Sequence, residues 1–290
     1  MQDSNVEVLQ AVCQAHEHAW KIEFIENKGQ GQIILLHGPP GVGKTYTVES
    51  FSEASGRPLI PLTIADIGLE DETIENKLAK WFSLAESWNA ILLLDEADIF
   101  MERRSRADIQ RNALVSVFLR QMEYFKGIFF LTTNRIGHID DAFLSRVNIV
   151  IGYDPLSDEK RARIWNGFFN KLQKDMERWK QDGIKPIIQV SKYAKQYILY
   201  DEEIKALQWN GREIRNAFQT AISLARYRAS KEKEDGNDDV VDVEVDHFRS
   251  VMRMSRSFRG YMDSISKLPE AERARRAYDR NDDYKHQDVP

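Results

Sequence analysis

Between Gln32 and Asp154, short unbroken apolar runs alternate with longer stretches of helical period. QIILLHG, PLIPLTI, AILLLDEAD, GIFFLTTN and VNIVIGYD each have the length of a buried strand. Helical patterns lie between them from Gly43 to Ser55, through Leu78 and Phe82, and from about Asp108 to Tyr124. Strand runs apolar on both faces and separated by helices predict parallel pairing through right-handed crossovers, which is a doubly wound α/β sheet. After Asp154-Pro155 the strand-like runs stop and the period becomes almost wholly helical to about Lys267. The change predicts a domain boundary followed by a smaller C-terminal helical domain. Within that domain KEKEDGNDDV, rich in charge and turn formers, reads as a solvated loop between two helices. The chain thus divides into a lead-in over 1–31, weakly amphipathic around Val8, Leu9, Val12 and Cys13, and an α/β core over 32–155. A helical domain over 156–262 and a charged tail over 263–290 complete it, the tail expected to stay in solvent.

Composition narrows the partners more than the fold. A 290-residue chain that is 42% hydrophobic can bury one sizeable core and a smaller one. Lys+Arg 41 against Asp+Glu 46 gives a net charge of -5, so no basic excess supports nucleic acid as the main partner. The single cysteine, Cys13, has no partner for an internal disulfide, which fits a reducing intracellular compartment: cytoplasm, nucleus or mitochondrial matrix. MQDSNVEVLQ has the character of neither a signal nor a transit peptide, although a start inside a longer protein reads the same way. The apolar runs fall well short of the roughly 20 residues that cross a bilayer.

The chemistry concentrates in three places. Gly38-Pro39-Pro40-Gly41-Val42-Gly43-Lys44-Thr45 follows an apolar run, opens a helix whose next residue is Tyr46, and has the spacing G-x-x-x-x-G-K-[ST] of a P-loop. Gly41 and Gly43 allow the backbone N–H groups to turn inward as an anion nest, backed by a helix N-terminus. Lys44 is then a point charge for the β and γ phosphates of ATP and Thr45 a Mg²⁺ ligand. The second place is ILLLDE, a strand that delivers Asp95 and Glu96 where ligands bind in open α/β sheets. Alone, two carboxylates after a strand are a solvated loop. Behind a P-loop, strand alternation lets Asp95 face Mg²⁺ while Glu96 faces the γ-phosphate and a lytic water. The third is Asn134, an amide emerging from the apolar run IFFLTT, which is also a residue type that caps turns.

With GPPGVGKT, LLLDEAD and LTTNR in this order and spacing, the chain resembles an AAA+ ATPase from about His37 to about Met254. The resemblance implies a helical lid domain and further roles. Asn134 falls at the sensor 1 position, which orients the attacking water. Arg146 in DAFLSRV falls at the arginine finger, which reaches a neighbouring subunit's site and implies a homo-oligomeric ring, of which a hexamer is one form. Where the best-known subgroup has R-P-G-R this chain reads SRVN, so a second finger has no counterpart; Arg135 is either a substitute or a surface arginine. In WNGREIRNAFQTAISLA, Asn210 and Glu213 have capping-box spacing, Ile214, Ala217, Phe218, Ala221, Ile222 and Ala225 form an apolar stripe, and Arg212 falls at sensor 2. The whole resembles most a fungal group of AAA-type ATPases that carries a sensor 2 arginine.

The pore segment ADIGLEDETIENK has no aromatic residue; Ile67 and Leu69 offer a weak grip on a polypeptide, while the acidic character of the loop weighs against threading and against binding a polyanion. His16 and His18 diverge on a helix and form no metal pair, and His37 reads as packing before the P-loop. Three activities follow from the resemblance: an oligomeric ATPase that remodels a macromolecular partner, an ATP-gated scaffold with slow hydrolysis, and a clamp-loader-like DNA-associated ATPase, against which the acidic balance weighs.

Overall fold

The computed structural model describes residues 7–9, 11, 31–67, 71–103, 109–232, 240–266 and 268–284. The chain divides into two units, one formed by Met1–Asp154 together with Glu270–Pro290 and the other by Pro155–Pro269.

In the first unit the elements run β1 (Gln32–His37), α1 (Lys44–Ser55), β2 (Leu59–Leu62), α2 (Ile64–Ile67), α3 (Asp71–Ser87), β3 (Ile91–Leu94) and α4 (Asp98–Met101). They continue with α5 (Ile109–Tyr124), β4 (Ile128–Thr133), a 3₁₀ turn at Ile136–His138, α6 (Asp141–Leu144) and β5 (Ile149–Gly152). The strands form a five-stranded sheet in the order β2-β3-β4-β1-β5, with parallel pairing throughout. Alternate side chains of β1, β3 and β4 enter different cores. Ile33, Leu35, Leu92, Leu94, Phe129 and Leu131 join Leu78, Phe82 and Phe118 on one face, while Ile34, Leu36, Leu93 and Phe130 join Val48 and Leu9 on the other. Burial on both faces is why these three strands read as unbroken apolar runs, whereas Pro61 of β2 and Val150 of β5 are exposed.

Ile67 ends the short α2 and is fully buried in the first of these cores, so it is not available to grip a substrate; Leu69 lies outside the described residues. The expected lead-in, including Val12 and Cys13, is also mostly outside them.

The second unit contains α7 (Asp158–Gln181), β6 (Ile187–Val190), α8 (Lys192–Tyr200), α9 (Glu202–Ala206), α10 (Gly211–Glu232), β7 (Val240–Val243) and α11 (Val245–Ser266). Its core gathers Trp165, Phe169, Trp209, Phe218 and Phe248, with the rings of Trp165 and Phe218 edge to face at 6.3 Å. The expectation of an almost wholly helical region needs correcting, because β6 and β7 form a parallel two-stranded sheet in which Ile187 pairs with Val240. Val240, expected at the end of a loop, opens β7, while residues 233–239 lie outside the description. Asn210 and Glu213 form the expected capping box before α10: Asn210 Oδ1 accepts from the Glu213 N–H at 2.9 Å, and Glu213 Oε2 accepts from the Asn210 N–H at 2.8 Å.

The charged tail departs from its expected solvation. Helix α12 (Glu270–Arg276) and the turn after it fold onto the first unit, with Ala274 buried and Asp279 ion-paired to Arg135 at 2.6 Å. Among the described residues no helix is long and apolar enough to cross a membrane.

Candidate functional site

The strand order sends the chain from β1 to the far edge at β2 and brings it back through β3 and β4 to the side of β1, with β5 on the other flank. Ligands of open α/β sheets bind outside the carboxyl ends of the strands at such a reversal. Register sets the level of each loop there. His37 pairs with Thr133, and Leu94 with Leu131, so Gly38, Asn134 and Asp95 leave three adjacent strands close together.

The segment from Gly38 to Thr45 wraps the N-terminus of α1. Gly41 and Gly43 have positive φ, 72° and 106°, which only glycine adopts freely, and Gly43 is the N-cap of α1. Pro39, Pro40 and Val42 are half-buried, while Tyr46 on the first turn of α1 is 71% exposed. Tyr153, past the end of β5, ties this helix to the sheet, its hydroxyl donating to Thr47 Oγ1 at 2.7 Å. Burial raises the Tyr153 phenol above its ordinary pKa, so it stays a donor at neutral pH.

The Lys44 side chain is buried and its ammonium donates to Gly38 O at 2.9 Å, Pro39 O at 2.8 Å and Asn134 Oδ1 at 2.7 Å. The P-loop lysine and the amide at the end of β4 are therefore directly joined. Across from them Thr45 Oγ1 donates to Asp95 Oδ1 at 3.0 Å and Oδ2 at 3.1 Å. Thr132 braces the same carboxylate: its hydroxyl donates to Asp95 Oδ1 and accepts from the Glu96 N–H at 3.1 Å.

The expected strand alternation does not reach Glu96: β3 ends at Leu94, and Glu96 sits in the left-handed region at φ 53°. A non-glycine residue held there costs about 1–3 kcal/mol, a penalty commonly found at functional sites. Both Asp95 and Glu96 are exposed, open to a ligand.

Three residues of the site were not singled out from the sequence. Thr132 and Thr133 read as the end of a strand, yet Thr132 holds Asp95 and Thr133 donates to Asp98. Burial raises the Asp98 carboxyl above its ordinary pKa, opposed by the Thr133 hydrogen bond and by the charges of Arg135 and Lys44. The visible signal was two adjacent threonines closing an otherwise apolar strand.

Arg146 contacts its own chain, donating to Ala142 O at 2.9 Å and lying 3.8 Å from Glu123, and its Nε is buried without a hydrogen-bond partner. Arg135 is engaged by Asp279. Arg212 belongs to the second unit, exposed on the first turn of α10.

No group of three or more His, Cys, Asp or Glu side chains suited to a metal occurs among the described residues. Mg²⁺ in a nucleotide site is held by one or two protein oxygens, with phosphates and water supplying the rest. The converging oxygens of Thr45 and Asp95 fit that role.

Residues 34–155 match the model of the ATPase family associated with various cellular activities (AAA), and residues 156–268 match that of the fungal AAA+ ATPase lid domain. The chain belongs to the AAA+ ATPases. Its relatives include human ATPase family AAA domain-containing protein 3B, 31% identical over 146 residues, 48% of this chain and 22% of that protein. The Drosophila melanogaster ATPase family AAA domain-containing protein 3A homolog is 32% identical over 152 residues, 50% of this chain and 25% of that one. The chain thus spans about a quarter of the length of these relatives. This AAA+ chain accordingly carries the nucleotide-binding core and, in its second unit, a fungal-type helical lid.

Proposed function

We propose that this AAA+ chain binds ATP with Mg²⁺ and hydrolyses it, as part of a homo-oligomer that uses the reaction to remodel a macromolecular partner. The observation that carries the reading is the convergence of Lys44, Thr45, Asp95 and Asn134 around the carboxyl ends of the central strands, with Glu96 exposed beside Asp95 on a left-handed backbone. The nest from Gly38 to Gly43 and the α1 N-terminus receive the phosphates, and Lys44 exchanges an oxygen acceptor for a phosphate oxygen. Bound Mg²⁺ offsets the charge of the β and γ phosphates, with Thr45 and Asp95 as its protein ligands. Glu96 takes the proton from the attacking water, and Asn134 orients that water. Arg212 meets the γ-phosphate from the lid, and Arg146 serves a neighbouring subunit.

Hydrolysis is tested by Glu96→Gln, which keeps the shape of the side chain and removes the base. Turnover should fall by about 10² or more while ATP affinity holds. Calorimetric titration and phosphate release read the two quantities, and unchanged turnover would sink the role of Glu96. A second reading, an ATP-gated scaffold, draws support from Ile67: with that side chain in the core, it is not available to the pore segment as an apolar grip. Steady nucleotide-dependent assembly with little turnover, in wild type as in Glu96→Gln, would favour it.

A further inference from the structure

The 3₁₀ turn after Asn134 is held by residues far away in sequence. The Gly137 N–H donates to Asp279 O at 2.9 Å, and Arg135 Nε donates to Asp279 Oδ1 at 2.6 Å. His138 Nε2 lies 2.8 Å from Ala277 O and 3.1 Å from Asp279 Oδ1. Asp279 is only 19% exposed, and its turn is braced from behind by Arg280, which pairs with Asp282 at 3.0 Å and with Glu270 at 2.9 Å. The fit leaves no slack at Gly137, where an added Cβ would stand 1.9 Å from Tyr278 O.

On its other side the same loop meets the nucleotide site. Thr133 accepts from the Arg135 N–H at 2.9 Å and donates to Asp98, and Asn134 Oδ1 accepts from Lys44. Asn134 therefore lies between two anchors, the P-loop lysine and the C-terminal turn. ATP binding draws Lys44 toward phosphate and loosens the first. The 3₁₀ turn has no side-chain N-cap of its own, so the second then joins the Thr133 hydrogen bond to the Arg135 N–H in holding the amide in place. We propose that Asp279 is a positioning residue for Asn134, and that α12 with its following turn is a clasp that keeps the sensor 1 loop aligned during hydrolysis. The proposal rests on the ATPase reading above.

The test uses the full chain with Asp279→Ala, Asp279→Glu and Gly137→Ala, the last attacking the clasp from the opposite side. ATP affinity is measured by calorimetry with Mg²⁺ present, and turnover is expressed per nucleotide bound so that unfolded chains do not count. Misplacing a group that orients a reactant costs about 10-fold or more in rate, so Asp279→Ala and Gly137→Ala should lose that much turnover with affinity unchanged. Asp279→Glu, which keeps the charge, should recover most of it. Should wild type and both alanine variants hydrolyse ATP equally well per bound nucleotide, the clasp has no positioning role. A parallel loss of affinity and turnover that Asp279→Glu does not restore also overturns it, marking a structural brace. A wild-type chain that binds ATP yet releases no phosphate removes the ATPase reading and the positioning role with it.

Discussion

Lys44 shows how much of this site is decided by single side chains. A buried ammonium is tolerated only when its donors are taken up, and Gly38 O, Pro39 O and Asn134 Oδ1 take up all three. Those oxygens are weaker partners for the charge than a triphosphate, so Lys44 is ready to exchange. Lys44→Ala removes the central cation of the nest, and calorimetric titration should find ATP binding lost; micromolar affinity in that variant would contradict the phosphate-cradle role. The sequence made this residue legible because the P-loop is a local pattern: spacing along the chain is also spacing in the fold. Asp95 was legible for the same reason. Glu96 was legible only in part, since its residue type was visible and its left-handed backbone was not. Asp98 and the two threonines were hidden, because their roles arise from the β3–β4 register and not from neighbours in sequence.

At the level of elements, β1, β3 and β4 of the large sheet could be read because they are buried on both faces, and β2 and β5 from their short apolar runs, whereas β6 and β7 could not. Each has only four residues, and its one partner lies across the whole of α8 to α10. Helix starts were easier, because a cap is a local signal. The box at Asn210 and Glu213 satisfies two backbone donors and has a further tie, since Arg259 pairs with Glu213 Oε1 at 2.8 Å. Asn210→Ala removes the acceptor for the Glu213 N–H, and loss of such a cap costs about 1 kcal/mol. Thermal or urea unfolding of the second unit should therefore begin earlier in this variant. An unchanged unfolding curve would show that packing of the α10 stripe alone fixes the helix start.

For the whole molecule the decisive question is whether sites are shared between subunits. The pair between Arg146 and Glu123 at 3.8 Å is partly exposed, and such pairs contribute about 1 kcal/mol or less. It is therefore a weak hold on an arginine proposed to serve a neighbouring site. If Arg146 acts on a neighbouring site, Arg146→Ala should bind ATP normally and hydrolyse it about 10³ more slowly. Mixing Arg146→Ala subunits with Lys44→Ala subunits should then restore activity, because some interfaces join an intact finger to an intact P-loop. Mixtures no more active than the separate variants, under conditions of subunit exchange, would leave Arg146 a structural residue of its own chain. The two units raise a different matter, since the first is made of segments on either side of the second. During synthesis the segment through β5 leaves the ribosome early, and the turn that clamps Gly137 leaves only after all of Pro155–Pro269. The phosphate cradle is therefore translated well before the loop beside it receives its clasp, so a nascent chain acquires the parts for holding nucleotide earlier than the brace for using it.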